Sequence, residues 1–420
     1  MQGKIEEVNK MTMTTKKQAI WLFSGGPMQE HAAKKIIEFG YKLILTDMDK
    51  DCVCAKYADD FVECDTFDFS ANIDAADKLK VKYKICAGVT VAADCHETVA
   101  LINRHLGLVG IDPEIAHICR HKNITREILT AAGIYQPKYA CVNNFKDAQL
   151  FLASIGNCGV IKSTDNSGSR GFSKVNSFEE FTPSVFDLAI LSGTSGSALI
   201  EEALIPRNDC IAELSVETLW FDGKMYWLNW VDRLFKSDLN FIKNHSMKQS
   251  NFFDHFYDGG SAHINWGVEV GHVNPACHSI SVKNEIHEMI YAAGVAIGIH
   301  NEEGGHVLKA DIMLTNDGPV IIELTPRLSG GWDSSGTTLA RGADFQAGII
   351  RLALGYSLDL DLWSKYFEIK SPNLYASIWA DVPSGAKDCI GRRFALGTDF
   401  QREKSLQLAF NNSKENRYVI

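Results

Sequence analysis

Hydrophobic and polar positions in this chain change period several times, and each change marks an element. Residues 19–23 form an apolar run ending in Ser24-Gly25-Gly26, helical spacing over 29–39 stops at Gly40, and a second apolar run, 41–46, ends at Asp47. That order predicts a βαβ opening on a parallel sheet. Further strands are expected over 61–64 and 84–91, and helices over 94–106, stopped by Gly107, and 123–132, stopped by Gly133. Between those helices, Asp112-Pro113-Glu114 supplies a capping acid, a first-turn proline and a second acid, which together start another helix. Residues 139–205 read as a small α+β unit, with a strand over 159–163 bearing Lys162, a polar Gly/Ser loop at 165–171, a strand resuming at Val175 and an apolar run over 198–204. Residues 210–231 alternate on both sides of Asp222-Gly223, as a hairpin does. Glu213, Ser215 and Glu217 share one face of it, and for Glu217 that face reads as solvent. Residues 236–262 have no clean period and are expected to form a mobile or substrate-facing loop; His245 and His263 belong to this polar region. A helix over 284–299 follows, and after residue 345 come a helix (345–354) and a strand-like run (373–381).

The stretch 306–331 combines pattern with chemistry. Two strand-like runs, 307–314 and 319–325, flank Asn316-Asp317-Gly318, a strong turn signal. With those three residues as the loop, Asp311 stands opposite Glu323, and Lys309, Asp311, Glu323 and Thr325 share a face. Leu308, Ala310, Ile312, Leu314, Ile322 and Leu324 then take the core face. Facing carboxylates repel unless a proton or cation lies between them. Arg327 and the flexible Ser329-Gly330-Gly331 follow at once, a grouping suited to nucleotide phosphates held with a hard cation, although a solvated hairpin has a similar composition.

Composition narrows the class. At 420 residues, two or three domains are expected. The 45% hydrophobic and 22% charged content is that of an ordinary globular protein, and a net charge of −10 argues against a nucleic-acid binder. Eleven cysteines occur without a CxxC pair, which points to reduced thiols in a cytoplasmic setting. Residues 1–18 are polar and read as a frayed leader, not a secretory signal. The longest apolar run, near 291–299, is far short of the roughly 20 residues a membrane helix needs. The opening βαβ unit lacks G-x-G-x-x-G, so a nicotinamide site with Asp47 on the ribose is the weaker reading there. Neither a Walker A loop, nor HExxH, nor a nucleophile elbow occurs.

Taken in order, HKNITREILTAAGIYQP around Lys122, GVIKSTDNSGSRG around Lys162 and VIIELTPRLSGG around Glu323 resemble the ATP-grasp superfamily, in its carboxylate–amine ligase type. The resemblance runs from the opening βαβ unit to about Gly342. It implies α/β and α+β architecture: a Rossmann-like domain (19–115) before a two-subdomain ATP-grasp fold (116–345, small subdomain 139–205), with a C-terminal extension (346–420) packed on it. It also implies roles for particular residues. Lys122 and Lys162 would touch the nucleotide phosphates, under a flap of Ser167, Gly168, Ser169 and Gly171. Glu201, Glu202, Ala203 and Leu204 would run along the adenine, with Glu213 on the ribose. Asp311 and Glu323 would hold Mg²⁺, or Mn²⁺ in its place, and Arg327 would face the transferred phosphoryl group with Lys162 as the second catalytic cation. Thr325 stands where the family usually has Asn, a shorter ligand for the metal. The implied activity is ATP-dependent coupling of a small carboxylate to an amine through an acyl phosphate, with no nucleic-acid or membrane partner and a homodimer left open. An ATP-grasp enzyme using bicarbonate, and a nucleotide-binding regulator without turnover, are the alternatives.

Overall fold

The computed structural model describes residues 16–168, 170–235, 269–381 and 393–419. The segment 236–262 with His245, together with His263 and Ser169 of the Gly/Ser loop, lies outside the described residues. Helices of eight or more residues are labelled.

The chain opens as its pattern predicts. Strands β1 (Lys17–Phe23), β2 (Lys42–Asp47), β3 (Asp60–Glu63) and β4 (Tyr83–Val89) form a parallel sheet in the order β3-β2-β1-β4. Helices α1 (Glu30–Glu38), α2 (Phe69–Lys82) and α3 (His96–Leu106) connect or follow these strands. Both faces are covered, so β1 is apolar and fully buried over 19–23. Asp47 accepts the Gly25 N–H at 2.6 Å, tying the glycine turn to the end of β2. The expected helix over 94–106 begins two residues later than its sequence suggests. Asp94 stays in the turn after β4, at the carboxyl end of the parallel sheet, because its carboxylate is drawn to Arg327 and Ser167.

Next come α4 (Pro113–Arg120), capped by Asp112, and α5 (Lys122–Ala131), with His121 as the hinge residue between them. A second sheet, all antiparallel, is ordered β5-β8-β6-β7 and comprises β5 (Tyr139–Val142), β6 (Gly159–Ser163), β7 (Ser173–Val175) and β8 (Ala198–Glu202). Helices α6 (Phe145–Ser154) and α7 (Pro183–Ser192) pack on it through Leu152, Phe186 and Ala189.

The third sheet has seven strands in the order β13-β12-β9-β10-β11-β14-β15. These are β9 (Glu213–Phe221), β10 (Lys224–Phe235), β11 (Glu269–Asn274), β12 (Gly305–Thr315), β13 (Gly318–Thr325), β14 (Tyr375–Asp381) and β15 (Arg393–Asp399). Asp222 and Gly223 both have positive φ in the two-residue turn joining β9 to β10. Helix α8 (Ile280–Ile297) lies against this sheet through Ile286, Ile290 and Ala293 and starts four residues before its expected position, at the Ser279 cap. Helices α9 (Phe345–Ala353) and α10 (Arg402–Lys414) complete the described elements. No helix among the described residues is long and apolar enough to cross a membrane.

The hairpin β12–β13 pairs Asp311 with Glu323, but by a different route from the sequence pattern. The loop has two residues, with Thr315 paired to Gly318, and the register shifts between Asp311 and Ile312. Ile322 is therefore an extra residue in β13, a β-bulge. One residue in the bulge does what a third loop residue was expected to do, so the carboxylates still face each other. The correction falls on the core face: Ile321 is fully buried there, while Ile322 turns toward a cavity.

Candidate functional site

The three sheets meet around a cavity of about 430 Å³. Lys122 reaches it from the first turn of α5 and Lys162 from β6; Glu201, Glu202, Ala203 and Leu204 line it from β8 and the residues after it. Glu213, Arg233 and Glu269 enter from β9, β10 and β11, Lys309, Asp311, Ile322 and Glu323 from the hairpin, and Arg327 from the turn beyond it. Ser167 and Gly168 of the Gly/Ser loop close one side. Gly171 instead packs on α7, where its φ of +74° and the closeness of Ser192 leave no room for a Cβ. Thr325 faces a second cavity of about 290 Å³, which shares Asp94, Lys122, Ser167 and Glu323 with the first.

Charge in the first cavity is tightly arranged. Lys162 Nζ lies 2.6 Å from Glu201 Oε2, and Arg126 Nε donates to Glu201 Oε1 at 2.6 Å. Burial opposes ionisation of Glu201, but Arg126 and Lys162 overcome it and hold the carboxyl down to about 2. For Lys162 burial wins, pushing its ammonium below the ordinary lysine value despite Glu201. Lys122 Nζ sits 3.2 Å from Glu323 Oε2 and donates to Asn166 O at 2.5 Å, linking the hairpin carboxylate to the Gly/Ser loop. Burial likewise works against the Glu323 carboxylate, and Lys122 and Lys309 bring it to about 2. Thr325 Oγ1 donates to Glu323 Oε1 at 3.3 Å.

Asp311 Oδ2 takes Lys309 Nζ at 2.7 Å and Arg233 Nη1 at 3.1 Å. Its other oxygen, Oδ1, is buried without a hydrogen-bond partner among the described residues. Arg233 also pairs with Glu213 at 2.8 Å and Glu269 at 3.1 Å. Arg327 holds Asp94 through Nε at 3.1 Å and through an ion pair at Nη2. Asp94 in turn accepts from Ser167, so one carboxylate of the parallel-sheet domain bridges the loop and Arg327.

Several participants carry little signal in the sequence. Arg126, one α-helical turn beyond Lys122, is 1% exposed, and donates to Ile321 O at 3.0 Å and Ile322 O at 2.9 Å as well as to Glu201. Asp94 lies in a region read as helix, although ligand sites at the carboxyl ends of parallel strands are a general rule that would have drawn attention to it. Glu217 is not on a solvent face: it is buried and accepts the Ser329 N–H at 2.6 Å, because the turn after β13 lies over that face of β9. Burial and then the Asp333 charge raise its carboxyl to about 7. Nearby, His272 Nε2 forms an ion pair with Asp333 at 2.7 Å and Nδ1 faces Glu269 at 3.2 Å. Burial disfavours the imidazolium, but Asp333 and Glu269 raise it to about 9.

No family model matches the chain. An uncharacterized protein y4rH of Sinorhizobium fredii (strain NBRC 101917 / NGR234) is 38% identical over 108 residues, a match spanning 26% of this chain and 22% of that protein. Among solved structures, an L-amino acid ligase from Bacillus licheniformis is similar over 96% of this chain and 98% of its own, at TM-score 0.70 and 16% identity. An N5-carboxyaminoimidazole synthetase from Staphylococcus aureus, complexed with ADP, is similar over 88% of this chain and 83% of its own, at TM-score 0.62 and 14% identity. Both neighbours are ATP-grasp proteins, and the likeness to the first extends over nearly the full length of both chains. This chain therefore has the ATP-grasp fold.

Proposed function

We propose that this chain is an ATP- and Mg²⁺-dependent ligase that converts the carboxylate of a small molecule to an acyl phosphate and joins it to an amine, releasing ADP and phosphate. The observation that carries the reading is that Lys122, Lys162 and Arg327 line one cavity together with the facing pair Asp311 and Glu323. ADP in the Staphylococcus aureus neighbour supports a nucleotide as the occupant.

The residues fit a hard cation. Among the described residues Asp311 Oδ1 is a buried acceptor without a partner, an arrangement that costs about 1–3 kcal/mol and that a bound cation would remove. With Glu323 and the Thr325 hydroxyl, the donor set is all oxygen, which suits Mg²⁺ or Mn²⁺ better than Zn²⁺. Such an ion supplies charge neutralisation across the phosphates. Lys162 is already disfavoured by burial, so a phosphate oxygen offers it an additional anionic partner. Ser167 and Gly168 would close over the phosphates with Ser169 between them and Arg170, while Gly171 would anchor the flap on α7. Residues 201–204 would follow the adenine, and Glu213 would bind the ribose.

Arg327 is the group we place at the transferred phosphoryl. In the present arrangement Asp94 holds its guanidinium, so engaging phosphate means exchanging one anion for another. The second cavity, on the far side of Ser167 and Arg170, offers room for the acceptor next to the same groups. A closed flap would keep water from the acyl phosphate while the amine attacks, expelling phosphate without a protein nucleophile.

The test is isotopic. Carboxylates supplied with ¹⁸O and a panel of amines are incubated with ATP and Mg²⁺, and the phosphate released is examined by mass spectrometry. One ¹⁸O per product is expected, since the activated carboxylate loses its bridging oxygen with the phosphate. Substrate consumed with unlabelled phosphate would overturn carboxylate activation and point to bicarbonate or water as the acceptor. Arg327→Ala should slow label transfer far more than it weakens ATP binding, because its contact strengthens in the transition state.

A further inference from the structure

We propose that Glu97, His117 and His121 form a second metal site, separate from the nucleotide cavity, that takes a borderline divalent transition metal such as Zn²⁺, Co²⁺ or Ni²⁺ and pins the α4–α5 elbow to α3. The three side chains each offer one ligand atom, and these atoms all lie within 4.8 Å of one another. His117 Nδ1 is 2.7 Å from Glu97 Oε1, and the two imidazole rings are 4.2 Å apart between centroids. Among the described residues that bond to Glu97 is the only side-chain hydrogen bond the histidine pair makes, which leaves the other nitrogens free to turn toward an ion.

Chain geometry explains the convergence. His117 and His121 are four residues apart, and the His121 N–H still bonds to His117 O at 3.1 Å although α4 ends between them. Both histidines therefore project from the same side of the elbow, toward the buried first turn of α3 where Glu97 sits. Arg120 Nε approaches the opposite carboxylate oxygen, Oε2, at 3.4 Å. One oxygen is thus oriented by a guanidinium, while Oε1, now facing His117, is the one that would exchange that contact for the metal, the usual division between the outer partner and the metal in a carboxylate ligand.

Two imidazoles and one carboxylate select the class of ion. Such a set favours Zn²⁺, Co²⁺ and Ni²⁺ over Mg²⁺, and three protein ligands leave a fourth position for water. Tetrahedral donors at zinc–ligand distances stand roughly 3.4 Å apart, so closing the present cluster takes side-chain rotation and no new backbone path. The consequence follows from sequence adjacency. His121 immediately precedes Lys122, whose ammonium reaches Glu323, so an ion here would fix the base of a lysine that lines the nucleotide cavity.

The experiment uses the full-length chain, stripped with a chelator and held in excess Mg²⁺ so that oxygen-ligand sites are filled. Co²⁺ is titrated while visible absorption is recorded, and Zn²⁺ is then added as competitor. One equivalent of Co²⁺ with tetrahedral-type bands, displaced by Zn²⁺, is expected. His117→Ala and His121→Ala should each weaken binding at least about 10-fold, since even an outer partner of a metal ligand is worth that much. His105→Ala is the control, because His105 faces Asp77 and takes no part in the cluster. Zn²⁺ should also raise the melting temperature of the wild type and not of His117→Ala, a readout that stands if His121→Ala fails to fold. Absence of binding, or Co²⁺ affinity unchanged in His117→Ala, overturns the site.

Discussion

Arg126→Met is expected to loosen the floor of the larger cavity, the proposed nucleotide site, by about 4 kcal/mol, from the buried pairing it ends. The guanidinium is 1% exposed and holds four acceptors: Glu201 Oε1 at 2.6 Å, Gln136 Oε1 at 2.7 Å, Ile321 O at 3.0 Å and Ile322 O at 2.9 Å. Removing one partner of a buried ion pair costs about 3–5 kcal/mol, but Glu201 retains Lys162 at 2.6 Å, so the lower end applies. Each carbonyl left without a donor adds about 1–3 kcal/mol at most, and the terms overlap because they belong to one network. Methionine returns some apolar contact. A chain with three sheets is not expected to unfold in one step, so the assay is native-state hydrogen exchange of α5 and β13 amides. Arg126→Lys should fall between wild type and methionine, since an ammonium can keep Glu201 but lacks the fork that spans two carbonyls. The two carbonyls belong to the bulge that aims Glu323, so the methionine variant should also bind Mg²⁺-ATP more weakly. A loss below about 1 kcal/mol in the opening free energy of α5 would refute the reasoning, because the buried network would then contribute no more than a surface pair.

Glu323→Gln should nearly abolish turnover while the melting temperature falls by only a few degrees; a large fall matching the loss of rate would make the residue structural. His272 has its imidazolium raised to about 9, above the ordinary value near 6.5 expected when unfolded, so its pairing stabilises the fold fully below about 6.5 and the benefit fades as pH rises through 9. Melting temperatures from pH 6 to 10 should show a steeper alkaline decline for wild type than for His272→Gln, and equal slopes would contradict this. Loop 165–171 should be cut by trypsin near Arg170 without nucleotide and protected with ATP and Mg²⁺; cleavage indifferent to both would remove its role as a flap.

The sequence pattern reached the right facing pair through two compensating differences, and the reason is physical. Alternation locates strands and their faces, and a turn signal locates a reversal, so the pairing of Asp311 with Glu323 was legible. The bulge at Ile322 was not, because nothing local to VIIEL requires it. Its carbonyls are gripped by Arg126, which lies 195 residues away from Ile321 and 196 from Ile322. A bulge breaks ladder pairing and leaves backbone groups that must find partners elsewhere. Here the partner is a buried arginine on a helix, and its helical spacing gave no sign of that task.

Asp94 shows the same limit from the other side. An acid at the start of a helical run reads as a helix-start residue, and that local role is plausible on propensity alone. Its actual partner is Arg327, 233 residues on, together with Ser167, 73 residues on. The parallel sheet was readable from its apolar runs, and the end of such a sheet is where ligands gather. What periodicity could not supply was which distant cation would arrive there, since a solvent-facing carboxylate and a cavity carboxylate occupy the same kind of position in the pattern. Lys162 was recognisable for the opposite reason. An ammonium inside the apolar strand GVIKS violates the local pattern, and such a violation demands either a route to water or a buried anion. The structure supplies the anion in Glu201, itself held by Arg126, so the residue that broke the pattern leads to the one that concealed its role.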